Sequence, residues 1–445
     1  MSKATTLVDQ NNEQAARDAV LYPPAPATLE QAGLSHDLIV QLVLKMLHFG
    51  ADFTGGQIAE KLGLEYSAIE PVLSFLKQTH QCEVFGGAMV GGPSFQFRIT
   101  DAGRRRAILF LEQSHYIGVA PVPLAQYQAY MSAHAASLPK SVNRQRVRQA
   151  FSHLVLSDRV LDQVGPAVAA GHSMFVYGPP GNGKTVIAQA IRNLLDGEIL
   201  IPHALEVEGQ IIRLFDPVNH EPIAESKDDA LWRGEGIDAR WVRCRRPMVM
   251  VGGELTLQSL ELSYSSTMGF YQAPVQAVAN GGVLVIDDFG RQHCSPRDLL
   301  NRWIVPLESR VDFLTMQTGQ KLELPFNVLV VFATNIKPSE LVDEAFLRRI
   351  HYKVLAENPT ADDFTKIFSD YCRAKNLAFD RSLTEHLIER YLGPRNIRLR
   401  GCHPRDLIEQ AMAHAEYVGA PRELTIELLE AACAGYFVDD ENAAS

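Results

Sequence analysis

The stretch MFVYGPPGNGKT, residues 174–185, decides the fold of this chain. It is an apolar strand that runs into the pattern G-x-x-x-x-G-K-T, and residues 186–195 then have the composition of a helix. A loop in this context binds phosphate because its backbone N–H groups and the helix N-terminus converge on the anion. We therefore predict a phosphate-binding loop (P-loop) made of Gly178, Pro179, Pro180, Gly181, Asn182, Gly183, Lys184, Thr185 and Val186.

The residue types of this loop predict separate roles. Its three glycines let the backbone approach the phosphates closely, and Lys184 is expected to reach the β- and γ-phosphates of a nucleotide. Thr185 is expected to offer its hydroxyl to Mg²⁺. The alternative is a chance glycine-rich turn, and the strand and helix on either side argue against it.

A second apolar strand, GGVLVIDD at residues 281–288, ends in two carboxylates. A parallel strand beside the P-loop strand delivers its C-terminal residues to the crevice where open α/β sheets bind ligands. If the P-loop holds a nucleotide, we expect Asp287 to hold Mg²⁺ and Asp288 to orient the water that attacks the γ-phosphate. Without a P-loop, the same pair would indicate only a solvated strand end.

The composition excludes several classes of protein. The 445 residues carry 42 basic and 52 acidic side chains, so the net charge of −10 does not suit a protein that mainly coats nucleic acid or an anionic membrane. The six cysteines form no C-x-x-C pair, which argues against a zinc site and against a disulfide framework. The N-terminus lacks an apolar signal core, and no run reaches the roughly 18 apolar residues of a membrane span. We expect a cytoplasmic protein that does not insert into membranes.

The N-terminal third has the pattern of a small α+β domain. Residues 1–30 are polar and then rich in Pro and Ala, which predicts a disordered leader. Amphipathic periodicity predicts helices near residues 36–48, 54–62 and 66–79, with Thr54 and Ser67 as caps of the second and third. Strands at 82–85 and 94–99 flank a GGAMVGG turn, and a helix follows to residue 113. This order, and FRITDAGR at 97–104, resemble a winged-helix domain over residues 31–116, with a linker containing one helix at 117–142.

Residues 150–440 resemble an AAA+ ATPase, because further motifs follow the two strands in that family's order. VLVVFATN at 328–335 is similar to sensor 1, which implies that Asn335 helps to place the lytic water. EAFLRRI at 344–350 resembles the arginine-finger box, which implies that Arg348 or Arg349 reaches the γ-phosphate of a neighbouring subunit. Four predicted helices (about 360–373, 383–392, 404–418 and 424–436) resemble the family's lid, and Arg405 matches its sensor 2 arginine.

The resemblance implies an α/β fold with a parallel sheet flanked by helices over residues 143–358, a four-helix lid over 359–438 and a tail at 439–445. Two departures stand out. Asp288 occupies the position where the family usually has Glu, which puts the hydrolysis rate in question. Lys184 and Asp287 lie 103 positions apart (287 − 184), about twice the usual spacing, which predicts an insertion at about 200–280. Strand-like runs at 204–214 and 240–251 flank a charged loop from residue 225, and Phe270 and Tyr271 are candidates for a client-gripping pore loop or for the insertion's own core.

A β-hairpin is predicted at about 309–326, because alternating apolar residues flank QTGQ at 317–320. A hairpin at this place resembles the pre-sensor 1 insertion of the clade that contains MoxR ATPases, bacterial enhancer-binding proteins and RuvB. The whole chain also resembles a group of uncharacterised bacterial ATPases described as chaperone-like.

The resemblance implies ATP and Mg²⁺ as ligands and a homo-oligomeric ring, six subunits being the family's habit. Residues 30–140 hold eight Lys/Arg against nine Asp/Glu, so the winged-helix segment favours a protein client over DNA, although Arg104, Arg105 and Arg106 form a basic cluster. We expect a chaperone-like remodeller of a protein client. Two alternatives stay open: a DNA-binding transcription or recombination regulator, and a slow nucleotide-switched scaffold.

Overall fold

The computed structural model describes residues 21–50, 52–85, 92–137, 142–195, 197–224, 236–341 and 344–437. Several sequence-based expectations lie outside these ranges: residues 1–20 of the leader, the glycine turn at 86–91, the charged loop at 225–229 and the tail at 439–445. Within the described ranges, no helix is long and apolar enough to cross a membrane.

The N-terminal part consists of short helices around a small antiparallel sheet. Its sheet has the strand order β1-β3-β2, and the apolar faces of the helices build a core of their own. The elements are α1 (Leu29–Ala32), α2 (His36–Phe49), β1 (Phe53–Thr54), α3 (Gly55–Leu62), α4 (Tyr66–Gln78), β2 (Cys82–Phe85), β3 (Gln96–Ile99) and α5 (Asp101–Gln113).

The two helix caps expected in this part have different outcomes. Thr54 accepts a hydrogen bond from the backbone N–H of Gln57, whose side chain accepts one in return, so α3 begins with a capping box. The prediction for Ser67 is wrong. Helix α4 begins at Tyr66 with Glu65 in the N-cap position, and the Ser67 hydroxyl donates to the Glu65 carboxylate instead.

The segment from residue 21 to residue 30 is ordered, in contrast to the expected leader. Pro24 pairs with Ile237, and the backbone N–H of Ala25 donates to the Gly236 carbonyl over 2.8 Å. Asp238 donates its backbone N–H to the Pro23 carbonyl. A proline-rich segment has few N–H groups with which to pair. Here it pairs with residues 236–238, which are too distant in sequence for a local pattern to predict the contact.

The expected linker is an integral part of the structure. It contains β4 (Val122–Pro123), which pairs with residues 205 and 206, and helix α6 (Leu124–Ser137). Tyr127 and Tyr130 are buried: the Tyr127 hydroxyl accepts from Asn280 over 2.8 Å, and the Tyr130 hydroxyl accepts from the Leu200 N–H over 2.7 Å. These contacts fasten α6 to the domain that follows, so residues 122–137 do not act as a flexible linker.

The central domain is built on a five-stranded parallel sheet with the order β10-β13-β16-β5-β17, which confirms the predicted α/β core. Strand β16 lies between the P-loop strand and the strand that ends at Asp287, whereas the sequence suggested direct neighbours. The elements are α7 (Arg144–Ala150), α8 (Asp158–Ala169), β5 (Met174–Tyr177), α9 (Lys184–Arg192), β6 (Glu198–Pro202), β7 (Ala204–Val207), β8 (Gln210–Arg213), β9 (Trp241–Arg245), β10 (Met248–Val251), β11 (Ser263–Ser265), β12 (Phe270–Gln272), α10 (Val275–Val278), β13 (Val283–Ile286), α11 (Pro296–Ser309), β14 (Val311–Thr315), β15 (Lys321–Pro325), β16 (Leu329–Thr334), α12 (Pro338–Leu341), α13 (Glu344–Leu347) and β17 (Tyr352–Leu355).

The insertion differs from its predicted outline. Strand β10, expected inside it, is the edge strand of the central sheet. Four inserted strands join β4 in a second sheet with the order β11-β12-β8-β7-β4, and β6 pairs with β9. Phe270 and Tyr271 are 5% and 2% exposed, so they belong to the interior and cannot serve as pore-loop aromatics.

The expected hairpin is present. Strands β14 and β15 pair from Val311 with Pro325 to Thr315 with Lys321. The Arg302 guanidinium of α11 donates to the buried Asp312 carboxylate of β14 over 2.7 Å, and Gln276 donates to its second oxygen over 2.9 Å. The hairpin is therefore anchored to the helix that follows the acidic strand end.

The C-terminal part is a helical bundle with its own apolar core. It consists of α14 (Ala361–Ala374), α15 (Arg381–His386) continued by a π-helical turn (Leu387–Leu392), α16 (His403–Val418) and α17 (Ile426–Tyr436). Thr360 closes a capping box with Asp363, which fixes the start of the first helix.

Candidate nucleotide site

The P-loop has the backbone that phosphate binding requires. Strand β5 ends at Tyr177, and α9 begins at Lys184 with Gly183 as its N-cap at φ 72°. Gly178 has φ 146°, and a Cβ there would lie 2.3 Å from the Ala356 carbonyl oxygen, so only glycine fits. The loop therefore opens the N-terminus of α9, where its N–H groups can meet an anion.

Lys184 is folded back onto its own loop. Its Nζ donates to the carbonyl oxygens of Gly178 over 3.0 Å and of Pro179 over 2.8 Å, and the residue is 8% exposed. Burial lowers the pKa of its ammonium, while Asp288 and Asp287 act in the opposite direction. The two carbonyl contacts keep a partly desolvated cation inside the loop.

Thr185 and Asp287 face each other across the sheet edge. The Thr185 hydroxyl donates to Oδ2 of Asp287 over 2.9 Å, and the backbone N–H of Asp288 donates to Oδ1 of Asp287 over 3.0 Å. A hydroxyl and a carboxylate oxygen at this separation are hard oxygen donors of the kind that Mg²⁺ prefers. The pair fits a magnesium ion that retains water ligands and is completed by nucleotide phosphates.

Asp288 is oriented by its backbone and by the neighbouring strand. Its φ of 48° is in the left-handed region, which Asp tolerates better than most residues. The Asn335 side-chain amide, at the end of the neighbouring strand β16, donates to Oδ1 of Asp288 over 3.1 Å. The structure thus brings Asn335 and Asp288 together, and Oδ2 of Asp288 is available to accept from a water.

The C-terminal bundle touches the P-loop directly. The Gly401 N–H donates to the Asn182 side-chain oxygen over 3.2 Å, and the Cys402 N–H donates to the Gly181 carbonyl over 2.8 Å. The Asn182 amide also donates to Oδ1 of Asn358 over 2.8 Å, just before the bundle begins. The loop, the connection and the bundle therefore share one hydrogen-bond network.

Arg405, the predicted sensor 2 residue, pairs with its neighbour in the bundle. It lies on the first turn of α16, where its guanidinium donates to the Asp406 carboxylate over 2.9 Å. This hydrogen bond raises the pKa of Arg405. Arg400, which the sequence did not single out, packs beside the P-loop: a Cβ at Gly181 would lie 3.5 Å from its Cδ. No sequence motif indicates Arg400, because its proximity to the P-loop depends on how the bundle packs against that loop.

The two finger candidates lie after the Asn335 strand. Arg348 is exposed and pairs with Glu344 over 2.9 Å, one helical turn earlier. Arg349 pairs with Glu308 over 2.5 Å. Two further predicted loop residues, Val186 and Pro180, are exposed.

Two family models match parts of the chain. A family model described as "Magnesium chelatase, subunit ChlI" matches residues 158–211, which contain the P-loop. A model described as "Domain of unknown function (DUF8689)" matches residues 360–435, the C-terminal bundle. No curated protein matches the sequence.

Solved structures give low-scoring likenesses. RuvB from Thermotoga maritima, in a mutant form, is 15% identical over 68% of this chain and 75% of that chain, with a TM-score of 0.37. NtrX from Brucella abortus is 14% identical over 76% of this chain and 64% of that chain, with a TM-score of 0.40. NtrX in complex with ATP gives 14% identity over 76% and 66% of the two chains, with a TM-score of 0.37. At such scores these likenesses say nothing about function.

Proposed function

We propose that this chain, whose central sheet and P-loop give it the fold of an AAA+ ATPase, hydrolyses ATP with Mg²⁺ as a ring-forming, chaperone-like remodeller of a protein client. One observation carries the ATPase proposal. Thr185 meets Asp287, and Asn335 meets Asp288, at the same edge of the sheet to which the P-loop belongs. Phosphate, magnesium and water functions thus converge on one crevice.

The side chains divide the chemistry. The Lys184 ammonium contacts two carbonyl oxygens of the P-loop itself, so it already lies where the phosphates would bind. It can exchange those carbonyls for β- and γ-phosphate oxygens. Thr185 and Asp287 would hold Mg²⁺, which neutralises phosphate charge. Asp288 accepts a hydrogen bond from the attacking water through Oδ2, while Asn335 fixes Oδ1.

The finger arginines support a ring. Arg348 and Arg349 have carboxylate partners on their own subunit, Glu344 and Glu308, and Arg348 is well exposed. An exposed cation of this kind can offset charge on the γ-phosphate held by the next subunit. A head-to-tail contact repeated around a closed ring would complete every site in the same way.

The N-terminal part is proposed to recruit a protein. In a winged-helix arrangement α4 would face the ligand, and its exposed positions include one acidic and one basic residue, Glu70 and Lys77. A helix that enters the major groove needs several cations to meet phosphates. Its neutral face therefore favours a protein client over DNA.

ATPase assays on purified protein test the proposal. Wild type should bind and hydrolyse ATP with Mg²⁺. Lys184→Ala should lose binding, while Asp288→Asn should keep it and lose about 100-fold or more in kcat, the usual worth of a positioned base. Asp298→Asn, an exposed carboxylate on the next helix, is the matched control and should leave kcat unchanged. Wild type that neither binds nor hydrolyses ATP would contradict the proposal.

The same Asp288→Asn variant separates the two kinds of partner. Loaded with ATP, it should hold its client, because arrested hydrolysis prevents release. We expect it to retain protein and to leave labelled duplex DNA unbound. DNA binding whose affinity falls as salt rises would overturn the preference for a protein client.

A further inference from the structure

Gln292 bridges the turn that follows the acidic strand. Its Nε2 donates to the Asp287 carbonyl over 3.0 Å and to the Asp288 carbonyl over 3.3 Å, while its Oε1 accepts from the Gly290 N–H over 2.8 Å. The Nε2 also lies 3.5 Å from the carbonyl oxygen of Gly252, the residue after edge strand β10. One side chain thus links both carboxylate-bearing residues to the turn and to the neighbouring strand.

This turn decides where the Asp288 carboxylate lies. On its inner side it is anchored by Phe289, whose N–H donates to the Ala333 carbonyl over 2.7 Å and whose carbonyl accepts from the Thr334 hydroxyl over 2.7 Å. On the other side, the Gln292 side chain holds the turn through its hydrogen bonds to the backbone of Asp287, Asp288 and Gly290, and we call this set of bonds the clamp. Between the two anchors, Asp288 adopts its left-handed φ of 48°. Because Asp has a single methylene, its backbone position leaves the carboxylate little freedom to compensate for a shift.

We propose that Gln292 is a positioning residue for ATP hydrolysis, which holds the turn so that Asp288 presents its free oxygen to the attacking water. The inference rests on the proposed ATPase function and names a residue that the P-loop and strand motifs do not contain. Gln292 acts on Asp288 through the backbone, and its amide needs no contact with nucleotide. It also ties the catalytic turn to Gly252, where the chain leaves the central sheet for the inserted segment.

Steady-state kinetics of Gln292→Met, which keeps the volume and removes the hydrogen bonds, test the proposal. We expect kcat to fall about 10- to 100-fold, as for other groups that orient a reacting residue, with KM for ATP changed less than about threefold. Gln410→Met, on an exposed face of the C-terminal bundle, is the matched control and should match wild type. Gln292→Glu keeps the acceptor for Gly290, loses the donor and should not restore kcat.

A double-mutant cycle shows which carboxylate Gln292 serves. If it acts through Asp288, Gln292→Met should cause no further loss in an Asp288→Asn background. Losses that multiply would overturn the proposal. So would an unchanged kcat accompanied by a rise in the Mg²⁺ concentration needed for half-maximal rate, because that result would assign Gln292 to Asp287.

Hydrogen exchange supplies a readout that needs no turnover. Backbone amides of residues 287–291 should exchange faster in Gln292→Met than in wild type, while those of the P-loop stay unchanged. Equal exchange in the two proteins would overturn the clamp even if wild type proved inactive. Inactive wild type with faster exchange in the variant would instead reject the ATPase proposal and keep the clamp.

Discussion

Asp288 combines a short side chain with a positive φ, and Asn335 binds one of its two oxygens. The sequence predicted this residue because the strand and its two acids form a local pattern. It could not predict the turn that aims the carboxylate, since Gln292 has no motif around it. The sequence could therefore indicate Asp288 and Asn335 as candidate residues, whereas the hydrogen bonds of Gln292 within the turn follow from no sequence pattern.

Lys45 illustrates the same limit in the N-terminal core. It lies within an apolar helical run, and the sequence does not predict that its charged side chain is buried. The residue is 1% exposed, and its ammonium donates to the Ser114 carbonyl over 3.1 Å. Burial lowers its pKa to about 8. Burying the charged ammonium therefore lowers the free energy of unfolding. This cost is fully present at pH values at which the lysine is protonated in both the folded and the unfolded protein.

Lys45→Met should stabilise the fold by about 2 kcal/mol at neutral pH, because it removes the buried charge and keeps the chain length. In wild type, stability should rise between about pH 8 and about pH 10.4, where the unfolded lysine binds more protons than the folded one. The variant should lack this rise. Denaturant midpoints at neutral pH and at about pH 9.5 measure both effects. Lys77→Met, at an exposed position of α4, is the control; a variant less stable than wild type at neutral pH would refute the expectation.

At the scale of elements, periodic helices and strands were predicted close to their observed limits, for example α2 at 36–48 and the hairpin at 309–326. Helix α6 was reduced to part of a linker because its contacts, Tyr127 with Asn280 and Tyr130 with Leu200, join residues far apart in sequence. Strand β10 was assigned to the insertion for a similar reason. Its place at the edge of the central sheet depends on pairing with β13, which no window of sequence contains.

The start of α16 makes a testable distinction between two arginines. Arg400 packs beside Gly181 in the P-loop, whereas Arg405 is paired with Asp406. We expect Arg400→Ala to raise the Kd for ATP about tenfold or more, the worth of one hydrogen bond to a charged phosphate. Arg405→Ala should change it less than about threefold, because its charge is already partnered.

Binding is best measured in an Asp288→Asn background, where hydrolysis does not interfere. Arg398→Ala, an exposed neighbour two positions before Arg400, serves as the control. A larger loss for Arg405→Ala than for Arg400→Ala would contradict this expectation and support the assignment of Arg405 made from the sequence motif. If both substitutions raised the Kd for ATP about tenfold, both arginines of the bundle would contact the nucleotide.

At the scale of the whole molecule, the inserted sheet joins the N-terminal part to the central domain. Phe270 packs into the N-terminal core, with its ring 5.7 Å from that of Tyr116. Tyr271, the next residue, belongs to the cluster around α6 and the hairpin, and its hydroxyl accepts from the Gln317 N–H over 3.1 Å. Because adjacent strand residues point to opposite faces, the sheet is covered on both sides. The pore-loop hypothesis for these aromatics failed because the covering layers come from distant parts of the chain.

A joint of this kind has a mechanical consequence. Arg302 and Asp312 join the hairpin to α11. The inserted sheet packs against both the hairpin and the N-terminal core, so we expect these parts to move with the central sheet. The C-terminal bundle is attached differently, by the hydrogen bonds of Asn182 and Gly181 to its first residues. Nucleotide binding at the P-loop would act on that second attachment. In the ring proposed above, we expect ATP binding to move the bundle relative to the next subunit.

Subunit mixing tests whether the site is shared between subunits. A variant carrying Arg348→Ala and Arg349→Ala retains Asp288, and an Asp288→Asn variant retains both arginines. Each should be inactive alone. Mixed at equal amounts, about a quarter of all sites should pair an intact Asp288 with intact arginines from the neighbour, so activity should recover toward that fraction of wild type if contacts repeat head to tail around a ring.

The control for mixing is a triple variant that carries all three substitutions. Combined with the double arginine variant, it forms the same interfaces but supplies no intact arginine, so activity should stay absent. Co-assembly is checked by mass or by exchange of labelled subunits. If the first mixture co-assembles and still shows no recovery, the arginines do not act in trans. Their ion pairs with Glu344 and Glu308 would then indicate a structural role within one subunit, and the ring would have to be justified by other contacts.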